Sequence, residues 1–166
     1  MLDPRAVSFT PRYLYRGGDR RGVRAQLEAE NTSAIGLGVP LPAGRVRVYE
    51  PDPAGDLQFI GESQIQHTAE GEKLILEVGT AFDLAAERRE VSNKRISDRE
   101  REYAVEIKLR NRKKTSVSIV VEVAGDVDVI QKSHPFTRKD ANTLQFTIPV
   151  APGKEVVLSY TVRVRY

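Results

Sequence analysis

Cysteine is absent from the 166 residues of this chain. Disulfides, cysteine-based metal sites and a thiol nucleophile are therefore excluded, and the chain is compatible with either redox compartment. Histidine is nearly absent as well, with only His67 and His134. No apolar run approaches the length of a membrane span. The N-terminal stretch MLDPRAVSFTPRYLYR lacks the apolar core of a signal peptide. No segment sustains a 3.6-residue period, so amphipathic helices are not expected. A formal net charge of +3 falls well short of the clustered basicity of a committed nucleic-acid binder. What remains, 40% hydrophobic and 30% charged residues, suits a folded chain forming one ordinary domain or two small ones.

What the sequence does contain is alternation. The clearest stretch is Pro40 to Gly61. Val46 and Val48 face one way and Arg45, Arg47 and Tyr49 the other, and Leu57 and Phe59 repeat the pattern on the next run. A period of two is the signature of a strand with one buried face. Between the runs, Pro51 presets φ, Asp52 is able to bond back to the backbone, and Gly55 suits the left-handed residue that ends such a loop. This predicts a β-hairpin. Pro40 and Pro42 block pairing upstream, since neither donates to a ladder.

The same period recurs along the chain. Ala6–Thr10 and Tyr13–Arg16 read as short strands of an N-terminal arm (1–20), broken at Pro11 and closed by Gly17-Gly18. Arg21–Asn31 reads as a strand with Val23, Ala25, Leu27 and Ala29 on one face. Lys73–Val78 puts Leu74, Leu76 and Val78 inward. In Asp83–Glu102 cations and anions nearly balance, and with no apolar helical stripe a pair of long exposed strands is the preferred reading. Further strands follow on Val105, Ile107 and Leu109; on Ile119, Val121 and Val123; on Val127–Ile130; on Leu144, Phe146, Ile148 and Val150; and on Val156 to Tyr166. Pro149 marks a strand that ends there or lies at an edge.

Many short strands with turns between them predict an all-β fold, a mostly antiparallel sandwich with immunoglobulin-like features. The unit spans 21–166. VRAQLEAEN (23–31) and YAVEIKLRN (103–111) both alternate into a terminal asparagine, which suggests two related halves, 21–82 and 101–166, joined by the charged stretch 83–100.

Signals for chemistry are few. His67 and His134 sit in polar loops and read as locally bonded loop residues. No glycine-framed serine or helical metal motif accompanies them. Two histidines make a usable metal site only with a third ligand, for which Asp83 or Asp140 are candidates. Glu28, Glu30, Glu77, Glu106 and Glu122 fall on outer parities and read as solvated faces. GLG at 36–38 is not a phosphate loop, because no helix and no Lys-Ser or Lys-Thr follows it. Asn31-Thr32-Ser33 matches a glycosylation acceptor, a pattern too short to carry weight. The arm gathers Arg5, Arg12, Arg16, Arg20, Arg21 and Arg24 against Asp3 and Asp19. With Phe9, Tyr13 and Tyr15 it has the makings of a base-stacking, phosphate-binding surface, but the modest overall charge favours an extra strand with its arginines in solvent. No catalytic, cofactor-binding or metal-binding residue is expected.

Three stretches carry a family resemblance. They are GLGVPLPAGRVRVYEPDPAGDLQFIGESQIQHTAEGEKLILEVGTAFDL, LRNRKKTSVSIVVEV and SHPFTRKDANTLQFTIPVAPGKEVVLSYTVRVRY. In this order, over roughly residues 21 to 166, they resemble the C-terminal β-rich domain of the mucoidy inhibitor A family, a bacterial domain of unknown function. The most specific parts are Leu41-Pro42-Ala43-Gly44 leading into Val46-Arg47-Val48-Tyr49, and Ser133-His134-Pro135 with Lys139 to Leu144. The resemblance implies an all-β domain, often in exported proteins, so an extracytoplasmic location is expected. It implies no catalytic residues. Members usually carry a longer N-terminal part, so the chain reads as the C-terminal module alone. The expected function is non-catalytic: protein–protein interaction or a structural role. The alternative is an envelope hydrolase built on His67, His134 and a carboxylate. Partners are expected at sheet edges, through the arm (Ala6–Arg16) or the final strand, or as self-association between copies; neither nucleic acid nor a transmembrane segment is expected.

Overall fold

The computed structural model describes residues 6–166; Asp3 and Arg5 of the arm lie outside them. The fold is all-β and mostly antiparallel, with sheets packed in a sandwich-like arrangement. Among the described residues no helix is long and apolar enough to cross a membrane. The chain forms two compact units. One comprises Arg24–Gly79 with the arm up to Arg12, the other Tyr13–Val23 and Thr80–Tyr166.

In the first unit, β2 (Arg24–Glu30) lies beside β5 (Lys73–Thr80), and β3 (Gly44–Pro51) pairs antiparallel with β4 (Leu57–Ile65). A single 3-10 turn, Ser33–Ile35, follows β2. Leu41, Ile65, Leu74 and Leu76 form the core, flanked by Phe9, Leu27, Val46 and Val48. Gly61 sits so close to β5 that a Cβ there would lie 2.7 Å from the Val78 carbonyl oxygen, so this position needs glycine.

The predicted hairpin is β3–β4, and its loop closes as anticipated. Asp52 Oδ1 accepts from the backbone N–H of Ala54 and Asp56, and Gly55 has φ 91°. The facing of its second strand differs. Leu57 and Phe59 are 66% and 57% exposed. The cause is a bulge: Val48 pairs with Gly61 but Tyr49 pairs with Phe59, leaving Ile60 as an extra residue. Each bulge reverses the alternation beyond it. Phe59 thus turns to the outer face, against Tyr49 at a ring separation of 5.6 Å.

In the second unit, β1 (Thr10–Arg16) enters with its Tyr13–Arg16 part. It runs parallel to β8 (Val117–Ala124), with Tyr13 opposite Ile119 and Arg16 opposite Glu122. On the other side of β8 lie β11 (Thr143–Val150) and then β10 (Thr137–Asp140). The facing sheet has the order β6 (Leu84–Ser97), β7 (Glu100–Asn111), β12 (Glu155–Arg165), β9 (Val127–Lys132). Val105, Ile107 and Leu109 of β7, Ile119 and Val121 of β8, Leu144, Phe146, Ile148 and Val150 of β11, and Leu158 and Tyr160 of β12 fill the space between the sheets. These are the inward residues expected from alternation. Phe146 stacks on Tyr160 at 5.6 Å and touches Phe136 at the same separation.

Four further expectations need correction. Pro11 does not break the arm, because it sits at the start of β1, where a strand tolerates proline; Ala6–Phe9 is not a strand. The final strand is not an edge, since β12 has β7 on one side and β9 on the other. In β2 the buried residues are Gln26 and Ala29, on opposite parities, while Ala25 and Leu27 are half-buried, so the expected apolar set does not define one clean face. The short strand β10 was missed, because its four residues TRKD carry no apolar signal. Pro149 behaves as expected: β10 covers only Thr143 to Gln145, and β11 ends one residue after the proline.

Phe146 lies at the centre of the second unit and is fully buried. Phe146→Ala is expected to destabilise the chain by about 3–5 kcal/mol, measured as a shift of the urea unfolding midpoint; an unchanged midpoint would contradict this packing.

Candidate functional site

The two histidines are held locally. His67 is in the first unit, and its Nδ1 accepts a hydrogen bond from the Ala43 backbone N–H at 3.2 Å. His134 is in the second, with Nδ1 2.8 Å from Ser133 Oγ; that oxygen also accepts from Ser159 N–H. Asp83 faces Lys113 Nζ at 3.5 Å, and Asp140 accepts from Asn142 N–H in its turn. Among the described residues no three His, Asp or Glu side chains gather where they would hold a metal ion.

Of the cations gathered near the arm, Arg16, Arg20 and Arg21 are exposed as expected, whereas Arg12 and Arg24 are half-buried against carboxylates. Arg12 Nη1 lies 3.3 Å from Glu28 and Arg24 bonds Glu77, both on half-buried side chains. Glu28 is also 2.5 Å from Lys73 Nζ. The hydrogen bond from Lys73 outweighs burial and holds the Glu28 carboxyl below the ordinary glutamate range, with Arg12 adding to the effect. Phe9 packs on the first core, Tyr15 is buried, and Lys113 lies over the Tyr13 ring.

Glu122 departs most from the sequence reading. It has the outer parity of β8 yet is only 7% exposed. Its row crosses the sheet: Lys139 of β10 donates at 2.9 Å, Gln145 of β11 at 2.8 Å, and Arg16 of β1 lies at 3.5 Å. Burial pushes its carboxyl up. The hydrogen bonds from Lys139 and Gln145, with the charges of Lys139 and Arg16, more than offset this and leave it below the ordinary range. Such a carboxylate is ionised and saturated with donors, which suits it to fastening four strands and not to proton transfer. The signal available in sequence was the charge set Arg16, Glu122 and Lys139, but nothing in the sequence aligns these residues.

The two asparagines that end the repeated alternation are the other buried polar residues with a clear task. Asn31 donates from Nδ2 to the carbonyls of Val39 and Ala69 and accepts from Gly38 N–H. Asn111 donates to the carbonyls of Thr115 and Val150 and accepts from Lys113 N–H. Each ties the loop after its strand to a neighbouring segment.

Two surface features remain. The outer face of the β6–β7–β12–β9 sheet carries an open trough of about 490 Å³ among Ala104, Glu106, Gln131, Ser133, Ser159 and Thr161. The second feature is β6 itself. It is fourteen residues long and pairs only with β7, and every residue from Glu87 to Ser97 is exposed. Of the pair of long exposed strands expected over 83–102, the structure has one, β6; the rest of the stretch is the turn and the first residues of β7, where Glu100 and Glu102 are half-buried. Compared with protein-family models, curated proteins and solved structures, the chain matches none.

Two measurements follow from the buried polar groups. Asn111→Ala leaves the Thr115 and Val150 carbonyls without their donor and is expected to cost about 1–3 kcal/mol, read from urea unfolding; no loss would show that the loop does not depend on it. For Glu122, a carboxyl whose folded pKa lies below its unfolded value contributes stability that is fully present above the unfolded value and lost as pH falls through the folded one. Glu122→Gln should therefore unfold more readily than the native chain at pH 7, and the gap should close as the pH is lowered below the ordinary glutamate range. A gap that persists unchanged at pH 2–3 would refute the charge-based role.

Proposed function

We propose that this chain is a non-catalytic β-sandwich module, with immunoglobulin-like features, that binds an extended segment of a partner protein by strand addition. The observation that carries this reading is β6, a long, exposed edge strand with a ladder on one side only. Edge N–H and C=O groups form hydrogen bonds to water or to an incoming strand, and the second arrangement is a general mode of protein recognition. The other edge strands of the second unit are short, with β9 at six residues and β10 at four, and offer little length for pairing. The engagement of both histidines, His67 by the Ala43 backbone and His134 by its neighbour Ser133, supports a binding role over a hydrolase. The pairing of the arm's arginines with carboxylates supports a protein partner over nucleic acid. The quoted resemblance to the mucoidy inhibitor A family supports an extracytoplasmic setting in a bacterial envelope-associated protein.

The test is to capture partners from an envelope extract on the immobilised chain, identify the retained protein, and map the complex by hydrogen–deuterium exchange. Strand addition predicts new amide protection across Leu84–Ser97. A complex that leaves β6 exchanging as in the free chain would overturn the reading.

A further inference from the structure

Resting on the strand-addition reading, the charges along β6 specify the partner further. Arg89 and Lys94 are five positions apart, an odd separation that ordinary alternation would send to opposite faces. A bulge prevents this. Glu90 pairs with Val105 and Ser92 with Ala104, so Val91 is the extra residue. Arg89 therefore lies opposite Glu106 and Lys94 opposite Glu102. β7 is unbroken between these two positions, so they share a face, about 13 Å apart along the strand. The bulge places both cations on the outer face of the edge.

Neighbouring charges are already committed. Arg95 bonds Asp98 and Arg110 bonds Glu87, while Arg88, opposite Ile107, takes the other face of β6. Glu102 is held by Arg163, and Glu100 by Arg165. Among the described residues, Arg89, Lys94, Arg99 and Arg101 of this hairpin form no ion pair. Arg101 also faces Arg95 directly across the ladder. The uncommitted charge of the hairpin is thus mainly positive, with Glu90 and Glu106 the uncommitted carboxylates.

We propose that the β6 edge takes an acidic extended segment, with carboxylates at positions i and i+4 of the incoming strand set against Lys94 and Arg89. The same charges disfavour some registers of a second copy of β6. A two-fold antiparallel pairing centred between Arg88 and Arg89 sets those two against each other and Glu87 against Glu90, whereas one centred on Ser92 sets Arg89 against Arg95 but Lys94 against Glu90. Like charges directly opposed destabilise a ladder. The exposed Val91 and Ile96 give the incoming strand apolar contact beside the charges.

The test uses fluorescein-labelled decapeptides in which valine alternates with glutamate, threonine or lysine, titrated against the full chain by fluorescence anisotropy. The glutamate peptide should bind about tenfold more tightly than the threonine peptide at low salt and lose that advantage in 0.5 M NaCl. Its amide shift changes should fall on Arg88–Ser97. In the Arg89→Gln, Lys94→Gln double variant, whose side chains are exposed in the native chain, the preference should vanish while threonine-peptide binding stays. Equal binding of glutamate and threonine peptides at β6 would overturn the acidic preference and leave strand addition standing. Absence of binding by all three, or shifts confined to other strands, would overturn both. Should the variant fail to fold, the native chain's peptide and salt comparison decides alone.

Discussion

The ladder between β7 and β12 is the constraint from which the second unit is built. It runs without interruption from Arg110 opposite Glu155 to Glu100 opposite Arg165. An unbroken antiparallel pair fixes the facing of every residue along it. Val105, Ile107 and Leu109 therefore turn inward together with Leu158, Tyr160 and Val162. Glu102 and Glu100 turn outward together with Arg163 and Arg165, where they pair. The irregularities are pushed to the flanks. β6 carries extra residues at Val91 and Ile96 and β9 one at Ile130, on either side of the straight pair. Bulges increase local twist, and the open trough lies over the straight pair between the bulged flanks.

Polar burial divides along the same lines. The sandwich interior is mostly apolar but holds the phenols of Tyr15 and Tyr160, and burial pushes the Tyr160 hydroxyl up against the pull of Arg88. Three polar side chains lose water where they satisfy backbone or charge: Asn31 and Asn111 at the ends of strands, and Glu122 beneath Lys139, Gln145 and Arg16; Gln26 is the exception, its buried Oε1 having no partner among the described residues. An unpaired polar group in those positions would destabilise by an amount comparable to a lost hydrogen bond. Loop closure and sheet order thus depend on a handful of side chains that apolar patterning does not register.

This explains what the sequence revealed. Period-two alternation identified β7, β8, β11 and β12, because one face of each is buried and the other wet. The hairpin β3–β4 was legible from its turn residues, down to Asp52 and Gly55. Bulges were not legible, since an extra residue leaves no mark in composition; Phe59 was therefore assigned to the wrong face, and the shared face of Arg89 and Lys94 was hidden. β10 was invisible because a short strand of charged residues lacks a buried face. The parallel docking of β1 on β8 was hidden because non-local pairing is not encoded in either strand alone. Glu122 looked like a solvated carboxylate until sheet order brought Arg16, Gln145 and Lys139 into its row.

Edges show how the second unit manages exposed backbone. A long, flat, apolar edge invites indiscriminate pairing. β9 and β10 avoid this by being short. β6 is not short, and its defences are charge and a bulge. Neither closes the edge: charge repels like charge and admits its complement, and the Val91 bulge reshapes the strand without covering its outer N–H and C=O groups. Solubility alone would be served by charges scattered on both faces. Here the outer face of the same strand collects Arg89 and Lys94, while Arg88 takes the other face and Arg95 is tied to Asp98. Charge of this kind discriminates among incoming strands by their sign and by register, where length and flatness alone would not.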